Sequence, residues 1–449
     1  MPAKSTRGKM TLVRQTCELI PSHMVPKVAR EYDIDARKFS AWSHTTAHIY
    51  GQLTHAVGLN DICDGLGLNS SGLRAIRGAT PPKRNTFSNA NRTRDPRMAE
   101  ALYWRMIEYL PTVVPSFGAR RIRSGYLRRF NAAIHAVDST TIQLVANSMD
   151  WAKHRRRKAA AKCHMNLNLH TMLPRYAVVD TAKFHDSKKA WEVCAVLQDG
   201  EIVVFDKAYL DFVHLDALDD RGVYWVSRAK DNMQYRTVKK LDTTSHGSVL
   251  RDEIIELTGV RTKKRYPKRL RLVEAIIEVD GKDVAMTFLT NNLEWSAWTV
   301  AELYRARWEI EVFFKEIKQT VQLVDFVGHN KKAVQWQIWT ALLTHLLVRF
   351  LAHLSRWGHS FTRLFTLIRA GLWHRFNIVD FLLGYGTAGG SFRMLACPQH
   401  AYLPGFGAPV DFPVGQPTRR RPAQRKHYEK IMQGKKCAMA KNVRKRPEV

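Results

Sequence analysis

The sequence predicts an α/β protein: a mixed β-sheet core, interrupted by a mostly β insertion, with helical regions before and after it. Three observations carry this reading. Residues 1 to about 115 and those beyond 298 repeat apolar side chains at helical spacing. Between about 131 and 205, short runs rich in Val, Ile and Leu are joined by a single helical pattern. Strand-like runs return between 221 and 293, broken by a basic segment. With 449 residues, 45% hydrophobic and 10% aromatic, the chain is long and apolar enough for two or three domains with proper cores.

In chain order, Ser40-Ala-Trp-Ser-His-Thr-Thr begins a helix that runs through Ile49 and Leu53. Leu59 to Leu66 and Ser70 to Ile76 are two short helical patterns separated by Gly-Leu-Asn. Pro81-Pro82-Lys83-Arg84 leads into a polar segment, Asn85 to Arg94, rich in Asn and Arg. Asp95-Pro96 is a helix start, Asp as cap and Pro in the first turn, leading to Met98 through Leu110. Short helices followed by an Asn/Arg-rich segment suit a DNA reader of the helix-turn-helix kind, and equally a plain helical cap domain.

Ala132 to Val137, His164 to Thr171, Tyr176 to Thr181 and Ile202 to Phe205 read as strands, with a helical pattern from Ser187 to Leu197 before the fourth. Three strands, a helix and a fourth strand, with acidic residues at strand ends, predict a mixed sheet of the RNase H type. Val223 to Ser227, Arg271 to Val279 and Val284 to Leu289 are assigned to the insertion, at about 221–293, around a basic loop beginning Arg261-Thr-Lys-Lys-Arg. Trp298 to Val321 reads as one long helix, followed by Ala333 to Trp357 and Phe361 to Leu382. The expected organisation is therefore a helical DNA-binding domain (1–125), the core with its insertion (126–330), a helical region (331–415) and a basic, disordered tail (416–449).

Charge narrows the partners. Lys+Arg 71 against Asp+Glu 40 leaves +31, a self-repelling excess unless a polyanion shares the protein's environment, so nucleic acid is the leading partner. The six cysteines, Cys17, Cys63, Cys163, Cys194, Cys397 and Cys437, are scattered without C-x-x-C spacing. That spacing argues against a zinc module or disulfide framework and fits a reducing cytoplasm. The start has no apolar stretch of signal-peptide length, and the most apolar segment, Ile338 to Val348, is too short to span a membrane.

The chemistry points to Glu302 to Gln319, E-L-Y-R-A-R-W-E-I-E-V-F-F-K-E-I-K-Q. At about 100° per residue, Tyr304, Arg307, Glu311 and Lys318 fall within roughly 60° of one another on a helix. Glu309 and Glu316 point the other way. Trp308, Phe313 and Phe314 suggest a helix packed into the protein rather than a solvated one. A lone carboxylate between Arg and Lys suits a divalent metal beside phosphate, but one carboxylate cannot hold a catalytic metal pair. Asp138, in Ile134-His-Ala-Val-Asp-Ser-Thr-Thr, and Asp206, in Ile202-Val-Val-Phe-Asp-Lys-Ala-Tyr, each end an apolar run. Both can converge at one sheet edge with Glu311; each alone is also an ordinary turn residue. Asp180 competes from another strand end, whereas Asp186 reads as a helix start.

The spacing Y-x2-R-x3-E-x6-K, met by Tyr304, Arg307, Glu311 and Lys318, resembles the Y-REK signature of bacterial DDE transposases of the insertion-sequence-four (IS-four) family. The similarity extends to Asp138-Ser-Thr, Asp206-Lys-Ala-Tyr, Leu289-Thr-Asn-Asn and Gln337-Ile-Trp, and to Phe39-Ser-Ala-Trp-Ser-His with Gly51-Gln-Leu, covering roughly 35 to 355. The resemblance implies a cut-and-paste enzyme, dimeric on the terminal inverted repeats of its element. Asp138, Asp206 and Glu311 would hold Mg²⁺, with Mn²⁺ able to substitute. Tyr304, Arg307 and Lys318 would hold DNA phosphates; Arg84, Arg92, Arg94 and Arg228 are further DNA-contact candidates. One strand is hydrolysed, the freed 3′-hydroxyl forms a hairpin on the opposite strand, and the reopened end joins double-stranded target DNA. Relatives receive a flipped base on an inserted aromatic. Here Met286-Thr-Phe stands where a tryptophan is expected, leaving Tyr224, Trp225, Phe288 and Trp295 as candidates. A nuclease of the same fold without strand transfer, and a non-catalytic DNA-binding descendant, are the rival readings.

Overall fold

Ile134-His-Ala-Val and Ile202-Val-Val-Phe are short, fully buried runs, and their parallel pairing forms the centre of the sheet. The computed structural model describes residues 10–36, 38–120, 125–144, 153–154, 158–181, 186–243, 247–279, 281–320, 328 and 330–384. Its strands are β1 (Ile134–Leu144), β2 (Lys153–His154), β3 (Lys158–Asn168), β4 (Leu173–Thr181), β5 (Ile202–Phe205), β6 (Tyr224–Arg228), β7 (Tyr235–Lys240), β8 (Val249–Leu257), β9 (Leu270–Val279) and β10 (Lys282–Thr290). They form one ten-stranded sheet in the order β2-β3-β1-β5-β6-β10-β9-β8-β7, with β4 also paired to β3.

Within it, β4, β3 and β1 are antiparallel neighbours, whereas β1, β5 and β6 run parallel. Three antiparallel strands followed by two parallel ones, with a helix before each of the last two, make an RNase H-like core. The run Val223 to Ser227, expected in the insertion, is the fifth core strand, because Tyr224 to Ser227 pairs in register with Ile202 to Phe205. The insertion proper joins the sheet through β10, whose Phe288, Leu289 and Thr290 pair with Arg228, Ser227 and Val226. It therefore prolongs the core sheet instead of hanging from it.

Eight helices precede the sheet: α1 (Leu12–Cys17), α2 (Met24–Glu31), α3 (Ala41–Thr54), α4 (Leu59–Leu68), α5 (Ser70–Arg74), α6 (Arg84–Thr93), α7 (Arg97–Val113) and α8 (Pro115–Gly118), among the described residues. Ser40 caps α3 by accepting from the Ser43 N–H. Asp95 accepts from the Arg97 N–H at 2.9 Å and starts α7 as its sequence suggests. The Asn/Arg-rich segment is helix α6. It is anchored by Phe87, Ala90 and Asn91, with Asn91 Oδ1 accepting from Nε2 of both His44 and His48 at 2.8 Å.

Inside and after the sheet come α9 (Asp186–Cys194), α10 (Phe212–Asp220), α11 (Val260–Arg265), α12 (Ala297–Ala306), α13 (Trp308–Thr320), α14 (Lys331–Leu354), α15 (Phe361–Ala370) and α16 (Ile378–Gly384). The basic loop at 261 is thus the short helix α11. The long helix expected over 298–321 breaks at Arg307, where Arg307 N bonds Tyr304 O and Ile310 N bonds Arg307 O, both at 3.0 Å. Two successive i→i−3 bonds tighten the turn there. Ile338 to Val348 is buried within α14, against α3 and α7.

Alternation along the central strands separates two cores. Val137, Val203 and Phe205 face α9 and α10, whereas Ile134, Ala136, Ile202 and Val204 face the larger helical core. No helix among the described residues is long and apolar enough to cross a membrane. Cys17, Cys63, Cys163 and Cys194 are buried free thiols. Cys397, Cys437 and the expected tail lie outside the described residues.

Candidate active site

The period of two that sorts the cores also aims the aspartates. Asp138 follows Ile134 and Ala136, and Asp206 follows Ile202 and Val204, so both point to the face covered by α12 and α13. The last β1–β5 pair is Val137 with Phe205, which leaves Asp138 and Asp206 side by side one residue beyond it. Asp138 is not at the end of its strand, as the apolar run suggested. β1 continues to Leu144 because β3 pairs with it throughout. What ends next to Asp138 is β5.

Helices α12 and α13 supply the other wall. Asp138, Asp206, Arg228, Tyr304, Arg307 and Glu311 line one cavity of about 420 Å³, closed by Ile277, Glu278, Val279 and Met286 of the β9–β10 hairpin and by Arg305 and Trp308. Arg307 sits at the centre of its charges. Its Nη1 donates to Asp138 Oδ2 at 3.0 Å, its Nη2 reaches Glu311 Oε1 at 2.5 Å, and its guanidinium carbon lies 5.3 Å from the Tyr304 ring centroid. Tyr304 donates its hydroxyl to Asp206 Oδ1 at 3.3 Å, and the Ser139 N–H donates to Asp138 Oδ1 at 2.7 Å.

Burial pushes the Asp138 carboxyl up to about 6, against the pull of Arg307 and the Ser139 N–H; Glu311 and Asp206 add to the rise. Burial likewise raises the Tyr304 phenol. For Arg307 burial works against the charge, but Tyr304, Asp138 and Glu311 outweigh it and hold the guanidinium above its ordinary value. The site is a partly buried acidic cluster with Arg307 paired inside it.

The remaining sequence candidates are distributed differently. Lys318 lies on α13, exposed as a residue and outside the cavity wall, with partial desolvation holding its ammonium below the ordinary value. Arg84 and Arg92 are exposed on α6, far along the chain from the carboxylates. Arg94 donates to the Phe39 and Ser40 carbonyls and stacks 5.3 Å from the Phe39 ring, a tether between α6 and the segment before α3. Asp180 pairs with Lys189 at 2.9 Å and does not line the cavity.

Of the four aromatics considered for a flipped base, Trp225 and Phe288 are fully buried, and Tyr224 packs on Trp295 at 5.3 Å. None lines the cavity. Trp308 does, 43% exposed, although its sequence context suggested a packed position. The signal available was its place directly after Arg307, at a turn that helical periodicity alone does not reveal.

An RNase H-like sheet with carboxylates beside its two central parallel strands, and a third on the helix after an insertion, defines a DDE-type domain. Residues 130–347 match the family described as "Transposase DDE domain". Residues 9–76 match a domain of unknown function, DUF4372. The chain is 31% identical over 227 residues to a probable transposase for insertion sequence element IS5377 of Geobacillus stearothermophilus, covering 50% of this chain and 58% of that protein. It is 27% identical over 196 residues to the transposase InsG for insertion sequence element IS4 of Escherichia coli, covering 42% of each. The chain thus spans about half the length of these relatives. A piggyBac transposase, solved as a synaptic complex with hairpin DNA, covers 86% of this chain and 84% of its own at 10% identity, but its TM-score of 0.38 is too low to bear on the fold.

A DDE domain implies a divalent metal ion. The donor chemistry fits: three carboxylates in one cavity offer the hard oxygen ligands that such ions take. Among the described residues, however, no three acidic, His or Cys side chains stand close enough to enclose an ion as they are. Instead, the guanidinium of Arg307 holds both Asp138 and Glu311.

Proposed function

We propose that the chain is a cut-and-paste DNA transposase that binds the terminal inverted repeats of its element, cleaves there and joins the freed 3′ ends to target DNA. The observation that supports it is the convergence of Asp138, Asp206 and Glu311 on one cavity with Arg307 and Tyr304. Asp138, Asp206 and Glu311 hold Mg²⁺ in this reading, with Mn²⁺ as a substitute. Two such ions, held by these carboxylates, would supply activation of the attacking water or 3′-hydroxyl and stabilisation of the leaving oxygen. With a metal taking over those carboxylates, Arg307 would be released to hold the scissile phosphate. Tyr304 orients Asp206 through its hydroxyl. Arg228, at the end of β6, adds a cation to the phosphate path.

Cleavage passes through a hairpin, and Trp308 is the exposed aromatic available to stack the base displaced in making it. Helices α1–α8, within residues 1–125, serve as the end-binding domain through Arg84 and Arg92 on α6. Lys318 steadies the DNA backbone further along α13. The protein acts as a homodimer in the synaptic complex, in the bacterial cytoplasm.

The test uses the full-length protein and a duplex carrying the repeats that flank its gene. Asp206→Ala and Glu311→Ala should each abolish Mg²⁺-dependent cleavage while leaving end binding within about threefold, since neither removes a cation. Normal cleavage by Glu311→Ala overturns the assignment. Precut ends with free 3′-hydroxyls that yield no joined product would make the protein a nuclease.

A further inference from the structure

The basic run that the sequence places at 261 is used by none of the chemistry above. It forms α11, six residues with no buried side chain, bearing Arg261, Lys263, Lys264 and Arg265 and no carboxylate. A helix this short has little intrinsic stability. Tyr266 and Leu270, buried just after it, fix its position.

The cations around it divide sharply. Lys268 is enclosed by Asp216, Asp219 and Asp220 at 3.4, 3.0 and 2.6 Å, and Arg269 pairs with Glu256 at 3.2 Å. Arg236 shares that Glu256 at 2.7 Å. Among the described residues, no hydrogen bond or ion pair engages the side chains of Arg261, Lys263, Lys264 or Arg265. Four exposed cations on fewer than two turns of helix repel one another, and Asp216, Asp219, Asp220 and Glu256 are paired with other cations.

Arg261 and Arg265, one helical turn apart, line a second cavity of about 500 Å³ together with Lys230, Asn232 and Gln234. Its carboxylate, Asp211, caps α10 by accepting from the Val213 N–H. This cavity shares two loops with the acidic one. Arg228 lines the first and Lys230, two residues on, the second; Asp206 lines the first and Leu210 and Asp211 the second.

From this placement we infer that α11 and Lys230 form a second DNA-backbone site, which holds a duplex where it runs out of the acidic cavity. The inference rests on the DNA-processing reading above. Arg and Lys without Asn or Gln on the helix itself suit phosphate contacts, so binding here is independent of base sequence. The insertion thus carries a phosphate clamp on a sheet continuous with the carboxylate strands.

The test is the full-length variant Arg261→Gln/Lys263→Gln/Lys264→Gln/Arg265→Gln, measured for affinity against salt on two duplexes, one with the element's end sequence and one unrelated. Each phosphate contact contributes about 0.9 to the slope of log affinity against log salt. The variant's slope should fall by about 2 to 3.5 on both duplexes, with an unchanged melting temperature because no buried side chain is altered. An unchanged slope on both overturns the proposal, and so does a loss confined to the end sequence. Cleavage and joining then separate the source of the DNA: reduced joining with normal cleavage means target DNA, whereas reduction of both means the element end. The slope is read without catalysis, so a wild-type protein that binds DNA but never cuts it would defeat the transposase reading while leaving α11 tested.

Discussion

Arg307 joins Asp138 to Glu311, at 3.0 and 2.5 Å, across the cavity where the sheet meets α13. One guanidinium thereby engages two of the three carboxylates and opposes, without cancelling, the burial that raises the Asp138 carboxyl. Entry of a divalent cation has to loosen at least one of these pairs. A divalent cation held there as proposed would compete with Arg307 for the same carboxylates.

Arg307→Ala should expose that competition. The metal-free variant loses the cation shared by two partly buried carboxylates, which costs about 2 kcal/mol or more. Adding Mg²⁺ or Mn²⁺ should then raise its melting temperature by more than it raises that of the wild type. An equal or smaller rise would show that Arg307 does not compete with metal. Cleavage should fall at least a hundredfold, since the phosphate loses its cation.

Asp138 ties stability to pH in the sense opposite to an ordinary salt-bridged aspartate. Its folded value near 6 lies above its ordinary 3.8, so the folded chain binds the proton more tightly than the unfolded one. Metal-free stability therefore falls as pH rises from about 4 to 6, and the cost is fully present above 6. Asp138→Asn should stabilise the metal-free protein by about 2 kcal/mol at pH 7 and by almost nothing at pH 4, as read by urea unfolding. Equal effects at both values would remove Asp138 as the source.

If the proposed reaction holds, Trp308 should separate hairpin formation from the first cut. A stacked base is worth about 1–3 kcal/mol, which corresponds to roughly 5- to 150-fold. Trp308→Ala should lower hairpin product on that scale while first-strand nicking stays within about threefold, and Trp308→Phe should restore most of the loss. Gel separation of nicked and hairpin ends decides it. Equal loss of both products would assign Trp308 to general DNA binding.

Asn91 secures α6 to α3 by accepting from two buried histidines. Burial lowers the pKa of both, so each imidazole is neutral and donates one N–H. Asn91→Leu leaves both donors without an acceptor and should cost about 3 kcal/mol in thermal or urea unfolding. A loss under about 1 kcal/mol would mean the histidines find other partners.

Much of the carboxylate site is legible in the sequence because its logic is local. Apolar runs that break at Asp138 and Asp206 mark where neighbouring strands carry polar groups, and the Tyr304–Arg307–Glu311 spacing marks one helical face. What the pattern does not carry is tertiary. Asp138 lies mid-strand because β3 keeps pairing past it, a long-range effect. The turn at Arg307 contains no Gly or Pro to announce it, so periodicity puts Lys318 on a face that the break separates from the cavity. Trp308 reads as core in any amphipathic helix. β7 and β8 are hidden because charged side chains interrupt them and a register shift spoils the alternation of β8. Arg94 resembles a DNA contact by composition, whereas its guanidinium is taken up by the Phe39 and Ser40 carbonyls.

Because β10 zips onto β6, the open border of the core sheet is moved outward to β7, Tyr235-Arg-Thr-Val-Lys-Lys. A bare strand border is a template on which further chains can add and aggregate. This one is short and exposed and carries Arg236, Lys239 and Lys240, so a second copy approaching edge to edge meets like charge. The strands that enlarge the fold thereby also carry the charge that discourages fibril-like stacking of copies.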